Sequence, residues 1–342
     1  LRQIAINIAI NNVLHFMKIA IIGSGIAAAT LTAYLRRARP DVALQVFEKS
    51  RGVGGRMSTR RREPWAFDHG VPFFTARTKS FQQMLKAFQS EGVIDEWHPK
   101  VITMAKGKKP YNRDWFEPHY VSLPTMNQLC KALLDEQPVR FQQTINKIEG
   151  EPGAWTLDTA EGENFGPFNL VVSTAPAEQT QVIFQNVAES PRVDFEPCFT
   201  LMVKGPMGYQ PRFDAAKIND GNIKWLTWCD RKPGRSSHPS LVAHATGQYS
   251  RTHFDADRDS VKEALALELN VLLPDIFSGP IPVESTDIHR WKYATVIEPL
   301  GDPFWMDPSG SLAACGDWFL GNEVEHAFTS ASTLAKHISE GL

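Results

Sequence analysis

The stretch from Lys18 to Glu48 constrains the fold of this chain more than any other. Small and apolar residues, Lys18-Ile-Ala-Ile-Ile22, run straight into Gly23-Ser24-Gly25-Ile26-Ala27-Ala28. About twenty residues further on, a second apolar run from Val42 to Phe47 ends on the acid Glu48. Strand, glycine turn, helix, strand and acid in this order are the βαβ fingerprint of a dinucleotide-binding unit. Gly23 permits the tight turn, Gly25 lets the backbone approach a diphosphate, and Ala28 lets the helix pack close to the strand. Ile26 and Ala27 open the helix, whose N-terminus suits an anion. Glu48 can accept from a ribose hydroxyl pair. A Gly-x-Gly-x-x-Ala string alone would say little, because small residues also occur at ordinary helix contacts. Its context here, without a Lys-Ser/Thr phosphate loop, points to a dinucleotide.

Two further blocks extend this reading. Directly after Glu48 comes Lys49-Ser50-Arg51-Gly52-Val53-Gly54-Gly55-Arg56. Gly54 and Gly55 allow close backbone approach to a long diphosphate cofactor, and Arg51 and Arg56 can supply charge-assisted hydrogen bonds to it. Arg60, Arg61 and Arg62 are read as a basic surface loop. Near the C-terminus, Ser311 to Cys315 reads as a buried strand that ends at Gly316-Asp317, and a helix opens near Glu323. That arrangement can place Asp317 on a ribityl or phosphate group and aim a helix N-terminus at an electron-rich carbonyl.

Together the three blocks resemble the flavin-containing amine oxidase superfamily, and within it the renalase-like FAD-dependent oxidoreductases. The resemblance is carried by Phe47 to Ser58, Phe67-Asp-His-Gly70, Phe73-Phe-Thr-Ala-Arg77, His244-Ala-Thr-Gly-Gln-Tyr-Ser-Arg251, His289-Arg-Trp-Lys-Tyr-Ala294 and Cys315-Gly-Asp-Trp318. It implies an α/β fold: a Rossmann-like FAD-binding domain of the amine oxidase/glutathione reductase type with an inserted substrate domain of mixed β-sheet plus helix. It implies non-covalent FAD held also by Lys49, Gly70, the backbone of Ile145, and Val324 and Glu325 of the Val-Glu-x-Ala signature. It further implies oxidation of non-standard dihydronicotinamide isomers of NAD(P), with O2 as acceptor and peroxide as product. One departure stands out: His326 occupies a position where Gly is usual, so its side chain must point away from the flavin ring or the helix must sit slightly further off.

Ordinary composition fits a soluble enzyme: 42% hydrophobic and 22% charged residues in a chain of 342, with a formal net charge of −2. Nothing in that balance suggests a nucleic-acid or membrane partner. The four cysteines, at 130, 198, 229 and 315, form no metal-ligand pattern and read as reduced thiols of a cytoplasmic protein. Residues 1–16 read as an upstream extension, too short in their apolar run for a membrane span and without a signal-peptide cleavage site. The FAD-binding domain is expected to be discontinuous, over 17–79, 135–176 and 289–342, with the substrate domain over 80–134 and 177–288. Helices are expected over 80–90, from Pro124 to Leu134 and over 260–273. Val139–Phe141 and Thr144–Ile148 are read as a strand pair.

For the chemistry, a planar hydride donor needs rings to stack on. Trp291 and Tyr293, two apart on a strand, should share a face and line the site, whereas Trp225 and Trp228 read as core filling. His244 and, less directly, His289 are the polar candidates. Hydride transfer from a dihydropyridine requires no base to remove an N–H proton, and the sequence offers no unambiguous base. An amine or polyamine oxidase shares the cofactor blocks and is the alternative, but acidic residues are not concentrated near His244 or Trp291. A non-catalytic FAD-binding protein is a third class, disfavoured by the intact fingerprint. The sequence leaves the oligomeric state open.

Overall fold

The structure is a computed structural model that describes residues 17–105 and 107–341, so the expected extension at 1–16 lies outside the described residues. At its centre lies the strand Lys18–Ile22, with parallel neighbours on both sides. The full sheet has six strands in the order Phe304–Met306, Leu312–Cys315, Leu170–Ser173, Lys18–Ile22, Ala43–Glu48, Val139–Phe141. Only the first pair is antiparallel. A strand covered on both faces must be apolar throughout, which is why Ile19 to Ile22 show no polar alternation. Ile19 and Ile21 pack with helices Ile26–Ala38 and Val324–Gly341. Ala20 and Ile22 pack with a three-stranded antiparallel sheet, Ile145–Glu151, Ala154–Thr159 and Asn164–Phe168, and with helix Ala177–Phe184.

Val139–Phe141 and Ile145–Glu151 are therefore not a strand pair. The first extends the parallel sheet beside Ala43–Glu48, and the second starts the antiparallel layer. Between them Gln142 takes a positive φ of 57°, and the N–H groups of Gln142 and Gln143 donate to the carbonyls of Ser50 and Glu48. The chain is led from one layer to the next rather than back on itself.

The second sheet has seven strands: Thr286–Val296, Phe195–Lys204, Ser240–Ala245, Ile223–Trp228, Ala215–Ile218, Val101–Met104 and Tyr111–Asn112. Phe199, Leu201 and Val203 alternate onto the face covered by helix Arg258–Leu272, whose N-terminus is capped by the Asp257 carboxylate accepting from Ser260 N–H. The boundaries between the halves shift relative to expectation. Residues 289–296 remain in this sheet, on its long edge strand, so the chain returns to the six-stranded sheet only after Val296. Helices Lys79–Ser90 and Gln128–Leu134 pack with the dinucleotide unit, through Phe81 against Phe328 and through Leu129, Cys130 and Leu133. The latter helix begins at Gln128 rather than Pro124, after a turn in which Thr125 Oγ1 donates to Asn127. Among the described residues no helix is long and apolar enough to cross a membrane.

Candidate active site

The dinucleotide end is built mainly of backbone. Gly23 has φ 108°, its N–H donates to the Phe47 carbonyl, and a side chain there would collide with Thr174 Oγ1. Gly25 stands at the N-cap of helix Ile26–Ala38 with no side-chain cap, and nothing lies within 4 Å of where its Cβ would be. The helix start thus has no side-chain cap and free space beside Gly25, the arrangement that lets a phosphate approach helix N–H groups. Gly54 N–H donates to the Ser24 carbonyl, which lays the second glycine loop against the first, with the Gly55 Cβ position 3.6 Å from Gly25 Cα. Glu48 is buried at the strand end, and its carboxylate accepts from Ser24 Oγ at 2.7 Å and Ser50 N–H at 2.7 Å. This bare-backbone cradle with an oriented acid at its rim fits the diphosphate and ribose of a dinucleotide such as FAD. Ile145 is buried at the start of its strand. Lys49 reaches Gln179 on the surface at 3.2 Å, and Arg51 is exposed.

The C-terminal block meets this cradle through Arg56. Its guanidinium grips Asp317 through two bonds of 2.7 and 2.5 Å and donates to the Ala294 carbonyl at 3.2 Å. Expected as two separate cofactor contacts, Arg56 and Asp317 instead join the glycine loop to the Gly316-Asp317 turn. Gly316 N–H donates to Ser330 Oγ. Glu325 is buried, and both its oxygens are taken by backbone N–H groups, Arg77 at 2.8 Å and Thr78 at 2.6 Å. Its side chain therefore clamps the C-terminal helix to the neighbouring helix start. Val324 borders the cavity described next. The His326 ring turns back over Gly321 and accepts from Glu323 N–H at 3.2 Å, away from that cavity.

Between the two sheets lies a cavity of about 390 Å³. Arg56, Gly70 and Val324 border it on the dinucleotide side; Phe73, Trp115, Trp225 and Trp291 form aromatic walls; His244, Lys224, Arg77, Glu117 and Glu323 are among its polar groups. Trp291 is fixed by its indole N–H donating to the His69 carbonyl at 3.0 Å, and its ring lies 5.0 Å from the His69 ring at 30°. A side chain on Gly70 would strike the Arg56 carbonyl and come within 3.2 Å of the Trp291 ring. Tyr293 is not beside Trp291 in the cavity. On the partner strand Glu196 pairs with Thr295 and Cys198 with Trp291, a bulge that breaks the alternation. Ala294 and Thr295 take the inward positions, while Tyr293 packs edge-on against Phe195 and donates to Glu178 at 2.9 Å. Trp225, expected in the core, is a wall of the cavity; Trp228 is fully buried.

The imidazoles around this cavity are held neutral. Burial, then the charge of Lys224, pushes His244 down to about 4, and its Nε2 is buried with no hydrogen-bond partner among the described residues. Burial, His289 and Arg60 push His69 down to about 3. Burial and Arg60 push His289 down to about 4. Arg60 can only donate, so the contact of 2.9 Å from its Nη2 makes His289 Nδ1 an acceptor. Beneath His69, Asp68 is buried and bound by Thr59 at 2.5 Å, Lys232 at 2.8 Å and Arg235 at 3.0 Å. Burial alone would raise the Asp68 pKa, but the two cations hold it far below the ordinary carboxylate range. This cluster ties the loop carrying His69 and Gly70 to the second sheet. Sequence reading did not single out Lys224, Trp115 or Phe73 as site residues. Phe73 lay inside a quoted block, but Lys224 and Trp115 carry no local signal.

A family model described as an NAD(P)-binding Rossmann-like domain matches residues 21–88. Among solved structures, the chain is similar to a candidate protoporphyrinogen oxidase from Exiguobacterium sp. 255-15, with a TM-score of 0.75 and 12% identity over 95% of this chain and 99% of that one. It is also similar to a putrescine oxidase redesigned in its cofactor binding, with a TM-score of 0.67 and 10% identity over 95% of this chain and 99% of that one. Wild-type putrescine oxidase bound to putrescine gives a TM-score of 0.64 at 10% identity, over 94% and 98% of the two chains. The common ground is the whole two-sheet fold.

Proposed function

We propose that the protein is a renalase-like, FAD-dependent oxidase that takes hydride from non-standard dihydronicotinamide isomers of NAD(P) and delivers the electrons to O2, giving H2O2. The observation that carries this reading is the cavity between the sheets, walled by Phe73, Trp115, Trp225 and Trp291 and reaching Arg56 and Gly70 at the dinucleotide cradle. FAD, when bound, supplies the hydride acceptor and the route of electrons to O2. The chain supplies position. Trp291, locked on the His69 carbonyl, offers a face for a planar ring. Neutral His244 lends the cavity a polar group without adding positive charge, and neutral His69 and His289 pack against Trp291. Gly23, Gly25 and Glu48, with the Gly54-Gly55 loop, would hold the diphosphate and ribose. All four cysteines are buried and free, in keeping with non-covalent flavin that is released on denaturation.

An amine or polyamine oxidase is the alternative, favoured by the likeness to putrescine oxidase. Against it, the carboxylates bordering the cavity among the described residues, Glu117 and Glu323, are both engaged by Arg77, at 2.8 and 2.6 Å. Anaerobic stopped-flow of flavin absorbance separates the two. Dihydronicotinamide isomers should bleach the flavin while monoamines and polyamines leave it oxidised. Rapid bleaching by an amine, with none by any dihydronicotinamide, would move the protein to the amine oxidase reading.

A further inference from the structure

Three cations border the cavity among the described residues: Arg56, Arg77 and Lys224. Arg56 is matched by Asp317, and Arg77 by Glu117 and Glu323. Lys224 forms no ion pair among the described residues and sits half-buried on the strand Ile223–Trp228. The register explains its placement. Ile223 pairs with Ala245 and Trp225 with His244, so Lys224 is the extra residue of a bulge. Ile223 and Leu226 pack in the core under helix Arg258–Leu272. Strict alternation would send Trp225 there too; the bulge lets the consecutive residues Lys224 and Trp225 both border the cavity. Trp225 completes a group of three rings. Phe73 lies 5.8 Å from Trp115 and 5.9 Å from Trp225, and the two indoles are 6.3 Å apart. Each of these rings is half-buried and borders the cavity. The neighbours of Lys224 supply no countercharge: His244 is held neutral, and burial pushes the Cys198 thiol up. This end of the cavity is not the Trp291 end. In the sheet order the strands of Trp291 and Trp225 are three spacings apart, about 14 Å across.

We infer that Lys224, with Phe73, Trp115 and Trp225, forms a second subsite of the cavity, for an aromatic monocarboxylate whose ring packs among the three aromatic side chains and whose carboxylate accepts from Lys224 Nζ. The charge count selects a monoanion. One unmatched positive charge balances one carboxylate. A phosphate monoester would bring about −1.5 to −2 at pH 7, with Arg56 and Arg77 already matched. A protonated amine would meet Lys224 with like charge. A neutral amide of the same shape keeps the ring contacts and loses the ion pair. The rings supply apolar area and orientation, and the ammonium supplies a charge-assisted bond away from bulk water. This subsite is separate from the Trp291 face offered to the hydride donor, and it does not depend on which donor the enzyme uses.

The test uses equilibrium binding and no electron transfer. Flavin-containing enzyme is titrated at constant ionic strength with benzoate, benzamide, benzylamine and acetate, following tryptophan fluorescence. Wild type should bind benzoate at least about tenfold more tightly than benzamide or benzylamine, as one charge-assisted bond allows. Acetate, which has the charge without the ring, should bind more weakly than benzoate. Lys224→Met should weaken benzoate about tenfold and bring it level with benzamide, whereas Lys224→Arg should keep the preference. Lys224→Gln makes the same comparison should Lys224→Met fold poorly. Trp225→Leu should weaken benzoate and benzamide alike, because it removes ring contact and leaves the charge. Equal binding of benzoate and benzamide by wild type, or wild-type benzoate affinity without the Lys224 charge, would overturn the subsite. Benzoate binding no tighter than acetate would overturn it too, since charge alone would then account for the binding. Benzoate preference without flavin bleaching by dihydronicotinamides would sink the donor reading and leave the subsite standing. Bleaching without benzoate preference would do the reverse.

Discussion

Around the six-stranded sheet, the proposed cofactor surface is made of backbone. Gly23, Gly25, Gly54 and Gly55 bring bare peptide groups together, and Glu48 closes the rim, all from one continuous stretch of chain. On the seven-stranded side, the cavity is made of side chains that converge from remote segments: Phe73, Trp115, Lys224, His244 and Trp291. A backbone site tolerates few residue types and states them locally. A side-chain site depends on strand register, so one bulge changes which residue faces inward. The two regions also differ electrostatically. At the cradle Arg56 is paired with Asp317, while in the cavity Lys224 forms no ion pair among the described residues.

The joint between these regions is where the largest effect is expected. Asp68 comes from the glycine-loop side, and Lys232 and Arg235 from the second sheet, with side chains 1%, 0% and 3% exposed. Asp68→Asn would leave two buried cations without their anion, a loss of about 3–5 kcal/mol. Chemical denaturation should show this loss, together with release of flavin, because Gly70 and Trp291 depend on the same loop. A loss below about 1 kcal/mol would mean that the two regions are joined by packing alone.

Two glycines test whether the cradle is backbone in the way described. Gly23→Ala places a side chain at φ 108° and into Thr174, so about 1–3 kcal/mol of strain adds to the overlap, and the melting temperature should fall. Gly25→Ala introduces a methyl into open space at an ordinary φ of −75°. It should leave the melting temperature in place and lower flavin affinity. Full flavin occupancy in Gly25→Ala after dilution would show that the diphosphate does not lie against this residue.

On the cavity side, neutral imidazoles make stability depend on pH. The His244 pKa is lowered from 6.5 to about 4. Between these values the unfolded chain binds a proton that the folded chain refuses, so stability falls as the pH drops through that window. For His244 alone the loss between pH 7 and pH 5 is about 2 kcal/mol, and His69 and His289 act in the same direction. His244→Gln should flatten the pH dependence of the denaturation midpoint by that amount. A slope identical to wild type would place the imidazole in a more solvated setting than its burial indicates.

Much of the first region was legible in the sequence. The turn at Gly23, the helix after Gly25, the acid at Glu48 and the buried strand at Leu312 follow from residue type and spacing. The pairing of Arg56 with Asp317 was not legible, since each residue suits a phosphate or ribityl contact equally well by itself. Nor was the role of Glu325, whose carboxylate is drawn to the N–H groups of Arg77 and Thr78, remote in the chain. In the second region the runs at 197–204 and 240–246 read as strands, but their order does not follow from the sequence. Without that order nothing in the sequence places Lys224 beside His244.

The smallest effect expected is also the sharpest test of register. Strand alternation alone puts Trp291 and Tyr293 on one face, whereas the bulge opposite Glu196 and Cys198 sends Tyr293 outward to Phe195 and Glu178. Its hydroxyl bond reaches an exposed carboxylate that also binds Lys292 at 2.8 Å, so removing it should cost at most about 1 kcal/mol. Tyr293→Phe should therefore leave the rate of flavin reduction within about twofold of wild type, a barrier change below about 0.5 kcal/mol. Trp291→Ala, which removes a wall of the cavity, should slow reduction while keeping the flavin. Comparable slowing by both variants would mean that the two rings share the face that strand alternation assigns them, and that the bulge is absent from the working enzyme.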